Sequence, residues 1–333
     1  MRLHHPYLLF VGDARDPLAA KTAAGILQWR REWCLGQLRV EGCRAELDLP
    51  DMTIAEGVAA GARTLVIGVA NAGGVIPESW IETLVRALEA GLDIASGLHD
   101  RLAEIPAVRE LAAARGRSLF DVRHSSRTFA VGTGEPRAGK RLLTVGTDCS
   151  VGKMYASLAI TAEMQARGLK ADFRATGQTG IFIAGEGVSV DAVIADFISG
   201  ATEWLAPAND PGHWDVIEGQ GSLFHPSYAG VSLGLLHGAQ PDVLVMCHEP
   251  TRTHMRGLPN RSLPSLPECI AANVDAARLT NPAVRCIGVA VNTRALSPPD
   301  AGRYLAGLEN ELSLPCVDPL TTGVAALIDR LPG

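Results

Sequence analysis

The segment Gly146-Thr147-Asp148-Cys149-Ser150-Val151-Gly152-Lys153-Met154 has the residue types and spacing of a phosphate cradle. Glycines let backbone N–H groups curl around phosphate oxygens, and a lysine next to a helix start adds positive potential. The residue after Lys153 departs from the nucleotide-hydrolysing pattern, in which a Ser or Thr hydroxyl holds Mg²⁺; here it is Met154. Such a loop suits a phosphate-bearing ligand that reacts elsewhere in its structure. Coenzyme A is one: its phosphates are a handle and its thioester does the chemistry.

Other residues complete an acyl transfer to an amine, which needs a base, carboxylate partners and oxyanion donors. Glu218 ends an apolar run, Val216-Ile217-Glu218, and reads either as the base or as a structural carboxylate beside the loop; Asp148 is the second acid/base candidate. For a dicarboxylate substrate the leading clamp is Arg174, followed by Thr176, Gln178 and Thr179. Ser222 and His225 sit on the Gly-rich stretch after Glu218 and are further pocket candidates, His225 equally a packing residue before Pro226. Arg252 and Arg256 read more readily as solvated loop residues than as ligands. Cys149, near a helix start, opens the alternative of a covalent acetyl-cysteine. Asn71, Gly73 and Gly74 follow another apolar run and read as a carboxylate-binding turn or, more plainly, as a tight turn.

The elements that must carry these residues alternate in βαβ fashion, which predicts parallel sheets covered on both faces. Strands are expected at 7–11, 64–69, 92–95, 141–145, 171–175, 214–218, 242–247 and 285–291. Helices are expected at 18–33, 78–90, 106–115, 152–167, 191–205, 267–279 and 299–312. The Gly-containing stretch after Phe129 reads as a linker. The fold class is therefore α/β: a Rossmann-like domain over 1–135 and a P-loop-containing domain over 136–333. Val11-Gly12-Asp13 is not a dinucleotide fingerprint, so a nicotinamide cofactor is not expected.

Composition narrows the function classes. A chain of 333 residues with 47% hydrophobic and 20% charged residues is that of a folded globular protein. The net charge of −6 disfavours nucleic acid as partner. No apolar run approaches the ~18 residues of a membrane span. Seven scattered cysteines without a C-x-x-C pair point to neither disulfides nor a zinc ribbon. A cytoplasmic location is the expectation.

The loop pattern resembles that of dethiobiotin synthetase and its relatives, as do Val216 to Gly221 and the strand end Gly288 to Asn292; the resemblance implies that Asn292 meets the edge of an adenine. A closer resemblance covers nearly the whole chain. The loop 146–154 together with 175–203, 218–238 and 247–252 is similar to the bacterial D-glutamate N-acetyltransferase family, formerly catalogued as a domain of unknown function. The resemblance implies acetyl transfer from acetyl-CoA to the amino group of D-glutamate, as an early step of D-amino acid catabolism. Direct transfer without metal is expected, in a homo-oligomer such as a dimer, with a small-molecule amino acid as the partner. The alternative is an ATP- and Mg²⁺-dependent ligase or kinase of the dethiobiotin synthetase type on a small carboxylated substrate.

Overall fold

The computed structural model describes residues 2–17, 19–125 and 127–332, without the side chain of Ala72. The expected first position of the 18–33 helix therefore lies outside the described residues. The chain divides into two compact units, residues 1–126 with 177–192, and residues 127–176 with 193–333.

The first unit runs β1 (Tyr7–Gly12), α1 (Lys21–Trp29), β2 (Cys34–Arg39), α2 (Ile54–Ala59), β3 (Thr64–Ile67), α3 (Glu78–Glu89), β4 (Asp93–Ser96), α4 (Pro106–Arg115) and β5 (Leu119–Asp121). Its strands form one parallel sheet in the order β2-β1-β3-β4-β5. The central strands are continuous apolar runs because both faces are covered: every residue of β1, β3 and β4 is buried. One of those covers is α3, whose Trp80, Leu84, Ala87 and Leu88 face the core at helical spacing.

In chain order the remaining elements are β6 (Lys140–Gly146), α5 (Lys153–Ala166), β7 (Ala171–Arg174), α6 (Gln178–Ala184), α7 (Ile198–Leu205), β8 (Trp214–Ile217), α8 (Ala229–Ala239), β9 (Val243–His248), the hairpin β10 (His254–Met255) and β11 (Leu258–Ser262), α9 (Leu266–Ala277), β12 (Arg285–Val291), α10 (Pro298–Leu312), β13 (Cys316–Val317) and α11 (Ala325–Ile328). All but α6 belong to the second unit. Its main sheet is parallel, in the order β13-β12-β9-β6-β8-β7. Strand β6 thus lies between β8 and β9. Because all three run the same way, their C-terminal ends bring Gly146, Glu218 and His248 to one sheet edge, where ligands bind in such folds.

Several expectations change. The division falls after Ser126 instead of 135, and residues 177–192 cluster with the first unit, a discontinuity no sequence boundary implies. The helix expected at 191–205 is two short 3₁₀ turns, Val190–Ala192 and Ala195–Phe197, and then α7, and the unit division falls within it, after Ala192. The helix expected over 18–33 is α1, which stops at Trp29 where Arg30 leaves the helical region (φ −142°), and then a separate 3₁₀ turn, Arg31–Trp33. The edge strand Cys34–Arg39 that follows, only partly buried and with a weak period-2 signal, is an addition to the expected elements.

Candidate active site

The loop between β6 and α5 is shaped by two left-handed residues, Ser150 (φ 55°) and Gly152 (φ 104°). Gly152 stands at the N-cap of α5 and offers no side-chain cap, so the first-turn amides of this 14-residue helix keep their donors for an incoming anion. Lys153 is buried and donates Nζ to the Asp148 carbonyl at 2.8 Å. Burial lowers the pKa of this ammonium, opposed by the thiols of Cys247 and Cys149 and the carboxylates of Asp148 and Glu218. Thr147 and Val151 are buried, whereas Ser150 is exposed and Cys149 and Met154 half-buried. Asn292, after β12, has its Cβ 3.8 Å from the point a Gly152 Cβ would occupy, which puts it beside the loop.

Glu218 follows β8 directly and is 4% exposed. Its Oε2 accepts the Thr176 N–H at 2.9 Å, and its carbonyl accepts the Thr176 hydroxyl at 2.6 Å. The Gln220 amide donates to that same hydroxyl at 3.2 Å. The next residue has to be glycine. A Cβ at Gly219 would stand 1.7 Å from the Thr144 carbonyl oxygen and 2.9 Å from Lys153 Cδ. Gly219 N–H also donates to Thr144 Oγ1 at 2.9 Å, tying the Glu218 turn to the strand that carries the loop.

Asp148 is engaged within the loop. It is fully buried, its Oδ2 accepts from Arg252 at 2.8 Å and from the Arg256 N–H at 2.7 Å, and its Oδ1 accepts the Cys149 N–H at 2.7 Å. Burial alone would raise this carboxyl, but the Arg252 guanidinium and the two amides hold it below its ordinary range. Arg174, the expected clamp, is paired with acidic residues of the protein. Its guanidinium bonds Asp215 at 2.7 Å, with Asp172 at 3.6 Å, and so is drawn back along β8 to a position three residues before Glu218.

Ser222 donates to the Thr147 carbonyl at 3.2 Å and accepts the Phe224 N–H at 3.3 Å, a turn-closing role. His225 is buried with both ring nitrogens engaged, Nε2 donating to the Arg256 carbonyl at 3.0 Å and Nδ1 accepting the Ser227 N–H at 3.2 Å. Ligand atoms of Asp148, Cys149 and His225 lie within 4.8 Å of one another. Two of the three already spend those atoms on protein partners and the Arg252 charge is adjacent, so the set does not suit a cation. Burial pushes the Cys149 thiol up despite nearby Lys153, which disfavours a nucleophilic thiolate.

The remaining candidates lie in the first unit. Gln178, at the start of α6, accepts from Arg123, which also pairs with Asp191 and donates to the Gly97 carbonyl at 3.3 Å. Thr179 is half-buried on the same helix. Asn71 closes its own turn, donating to the Val75 carbonyl at 2.7 Å and accepting the Val75 N–H at 3.1 Å. Gly73 and Gly74 are left-handed there, and a Cβ on Gly74 would meet His99 Cδ2 at 2.5 Å. This is the tight turn.

Two residues emerge that sequence reasoning passed over, His248 and Tyr304, and Arg252, read there as a solvated loop residue, is instead half-buried and engaged with the loop. Arg252 bonds Asp148 and the carbonyls of Cys149 at 2.6 Å and Ser150 at 3.4 Å, with Glu249 at 3.4 Å. His248 links Thr147 Oγ1, 3.1 Å from Nδ1, to the Tyr304 hydroxyl, 3.0 Å from Nε2. Its burial lowers the ring pKa to about 4, so it is neutral. The signal available was position: His248 and Arg252 follow a five-residue apolar run, and such a run predicts a strand beside the loop strand.

Comparison with known proteins gives this arrangement a context. Residues 128–328 match the DUF1611 domain of unknown function, described as a P-loop domain, and residues 38–125 match the DUF1611_N Rossmann-like domain. A D-glutamate N-acetyltransferase of Tritonibacter scottomollicae is 55% identical over 326 residues, 98% of each chain. One from Pseudoalteromonas sp. is 50% identical over 331 residues, 99% of this chain and 100% of that protein. The crystal structure of a DUF1611 family protein from Anabaena variabilis superposes with a TM-score of 0.86 at 31% identity, covering 98% of this chain and 99% of that one.

Proposed function

The chain belongs to the DUF1611 family, and from that premise we propose that it is an N-acetyltransferase that moves acetyl from acetyl-CoA to the amino group of D-glutamate. The observation that carries this reading is the full-length identity of 55% and 50% to two D-glutamate N-acetyltransferases. A phosphate loop with Met154 where a Mg²⁺-holding hydroxyl would stand supports it from the side of chemistry.

In this reading the first-turn amides of α5 and Lys153 hold phosphate oxygens of the acyl donor. Asn292, beside Gly152, suits its adenine. Glu218 takes a proton from the substrate ammonium, and the free amine attacks the thioester carbonyl. The carbon–nitrogen bond forms and the carbon–sulfur bond breaks. Of the two protons the nitrogen loses, one leaves with the thiol and the other passes to solvent. Transfer is direct, since burial keeps the Cys149 thiol protonated.

The test is thiol release from acetyl-CoA by purified protein with D-glutamate, L-glutamate or no amino acid, EDTA present throughout. Release with D-glutamate alone is expected. Equal release with the L isomer would remove the stereochemical assignment. No release, with ADP formed from ATP and Mg²⁺, would replace acetyl transfer by ligation or phosphorylation.

A further inference from the structure

Three cationic side chains surround the loop, and they are not equivalent. Lys153 is buried on the Asp148 carbonyl. Arg252 is spent on the Asp148 carboxylate, on two loop carbonyls and on Glu249. Arg256 differs. Both of its backbone groups are pinned, the N–H by Asp148 Oδ2 at 2.7 Å and the carbonyl by His225 Nε2 at 3.0 Å. The residue stands in the turn of the β10–β11 hairpin, before Gly257 at φ 76°. Its guanidinium is exposed and rests on the Ser150 hydroxyl, a neutral partner at the left-handed tip of the loop. Among the described residues it makes no ion pair.

The charges at this place are unevenly paired. Arg252 is shared between Asp148 and Glu249, and Lys153 has Asp148 and Glu218 as its carboxylates, so among the described residues Arg256 is the loop cation left without an ion pair, beside the positive end of α5. A fixed backbone beneath an uncommitted guanidinium is what an anion clamp requires, because little ordering remains to be done on binding. We propose that Arg256 is a phosphate ligand: its guanidinium leaves the Ser150 hydroxyl and pairs with a diphosphate group seated on the loop, supplying the bidentate contact that Lys153 cannot make. Identifying that diphosphate with the coenzyme A moiety rests on the proposed function; the anion site itself does not.

The experiment is calorimetric titration of wild type and Arg256→Gln with two probes, coenzyme A and inorganic pyrophosphate, beside the KM for D-glutamate. The contacts Arg256 makes to Asp148 and His225 are backbone ones, so the substitution keeps them and the melting temperature should hold. Expected are a loss of about tenfold or more in affinity for both probes, a near-constant KM for D-glutamate, and partial recovery in Arg256→Lys. Unchanged affinity for pyrophosphate and coenzyme A overturns the proposal. So does a loss confined to the KM for D-glutamate, which would make Arg256 a carboxylate ligand. Wild type that binds pyrophosphate but not coenzyme A removes the acetyl-CoA reading, and the pyrophosphate comparison still judges Arg256. Wild type that binds neither probe overturns the anion site.

Discussion

At the scale of single residues, the loop divides its polar groups between building itself and meeting a ligand. Asp148 and Arg252 build. Removing Arg252 leaves a fully buried carboxylate supported only by two amides. Arg252→Ala should therefore destabilise the chain by about 3 kcal/mol, read by urea denaturation. Lys153 and Glu218 meet the ligand in the reading proposed. Lys153→Ala is expected to raise the KM for acetyl-CoA more than that for D-glutamate, as steady-state kinetics with each substrate varied will show. Glu218→Gln should lower kcat by about 10²–10⁴-fold, and a near-wild-type rate would return Glu218 to holding Thr176. Cys149→Ala should keep appreciable activity in the same assay.

His248 adds a pH dependence with a definite sign. Burial depresses its pKa from 6.5 to about 4, so between those values the unfolded chain binds the proton that the folded chain refuses. The stabilisation is complete above the unfolded value and is lost as pH falls towards 4, on the order of 3 kcal/mol in all. In His248→Asn that part of the acid dependence should flatten, measured as the change in urea midpoint between neutral pH and pH 4.5.

At the scale of elements, the parallel order β9-β6-β8 determines which residues meet. The Gly146 end of β6 pairs with Cys247 in β9, and Leu143 pairs with Ile217 in β8. Glu218 and His248 are therefore neighbours of the loop through strand register and not through sequence. The close approach at Gly219 is the tightest point of that register, with no room for a Cβ against the Thr144 carbonyl. Gly219→Ala is expected to cost at least about 2 kcal/mol of stability. It should also lower activity in proportion to any shift of the Glu218 turn, by thermal melting and the thiol-release assay.

At the scale of the whole molecule, the chain leaves the second unit after Thr176 and returns at Val193. The α6 segment it lends to the first unit buries Ile181, Phe182 and Ile183 completely. There Tyr7 donates its hydroxyl to the Phe182 carbonyl at 3.3 Å, and Arg30 donates to the Ile183 carbonyl at 2.9 Å. A cut at residue 126 strips the first unit of α6, whereas residues 127–333 keep the whole second unit and carry α6 without the core it covers. Expressed separately, residues 1–126 should lack a cooperative melt, and residues 127–333 should aggregate through the uncovered face of α6, by circular dichroism and light scattering.

The α/β class, the phosphate loop and the strand that places Glu218 were legible from the chain because each is written locally. An apolar run of strand length, a Gly-rich turn and a helical period need no knowledge of distant residues. The Met154 departure was equally legible, being one residue at a known offset. What the tertiary structure alone decided is which polar groups are already taken. Arg174 has the chemistry of a clamp, yet it meets Asp215 because strand register puts that carboxylate on the neighbouring strand. Asp148 has the chemistry of a base, but Arg252 reaches it from 104 residues away. Pairing between charges depends on distances that only the assembled sheet creates, so residue type shows what a side chain can do and packing decides whether it is free to do it.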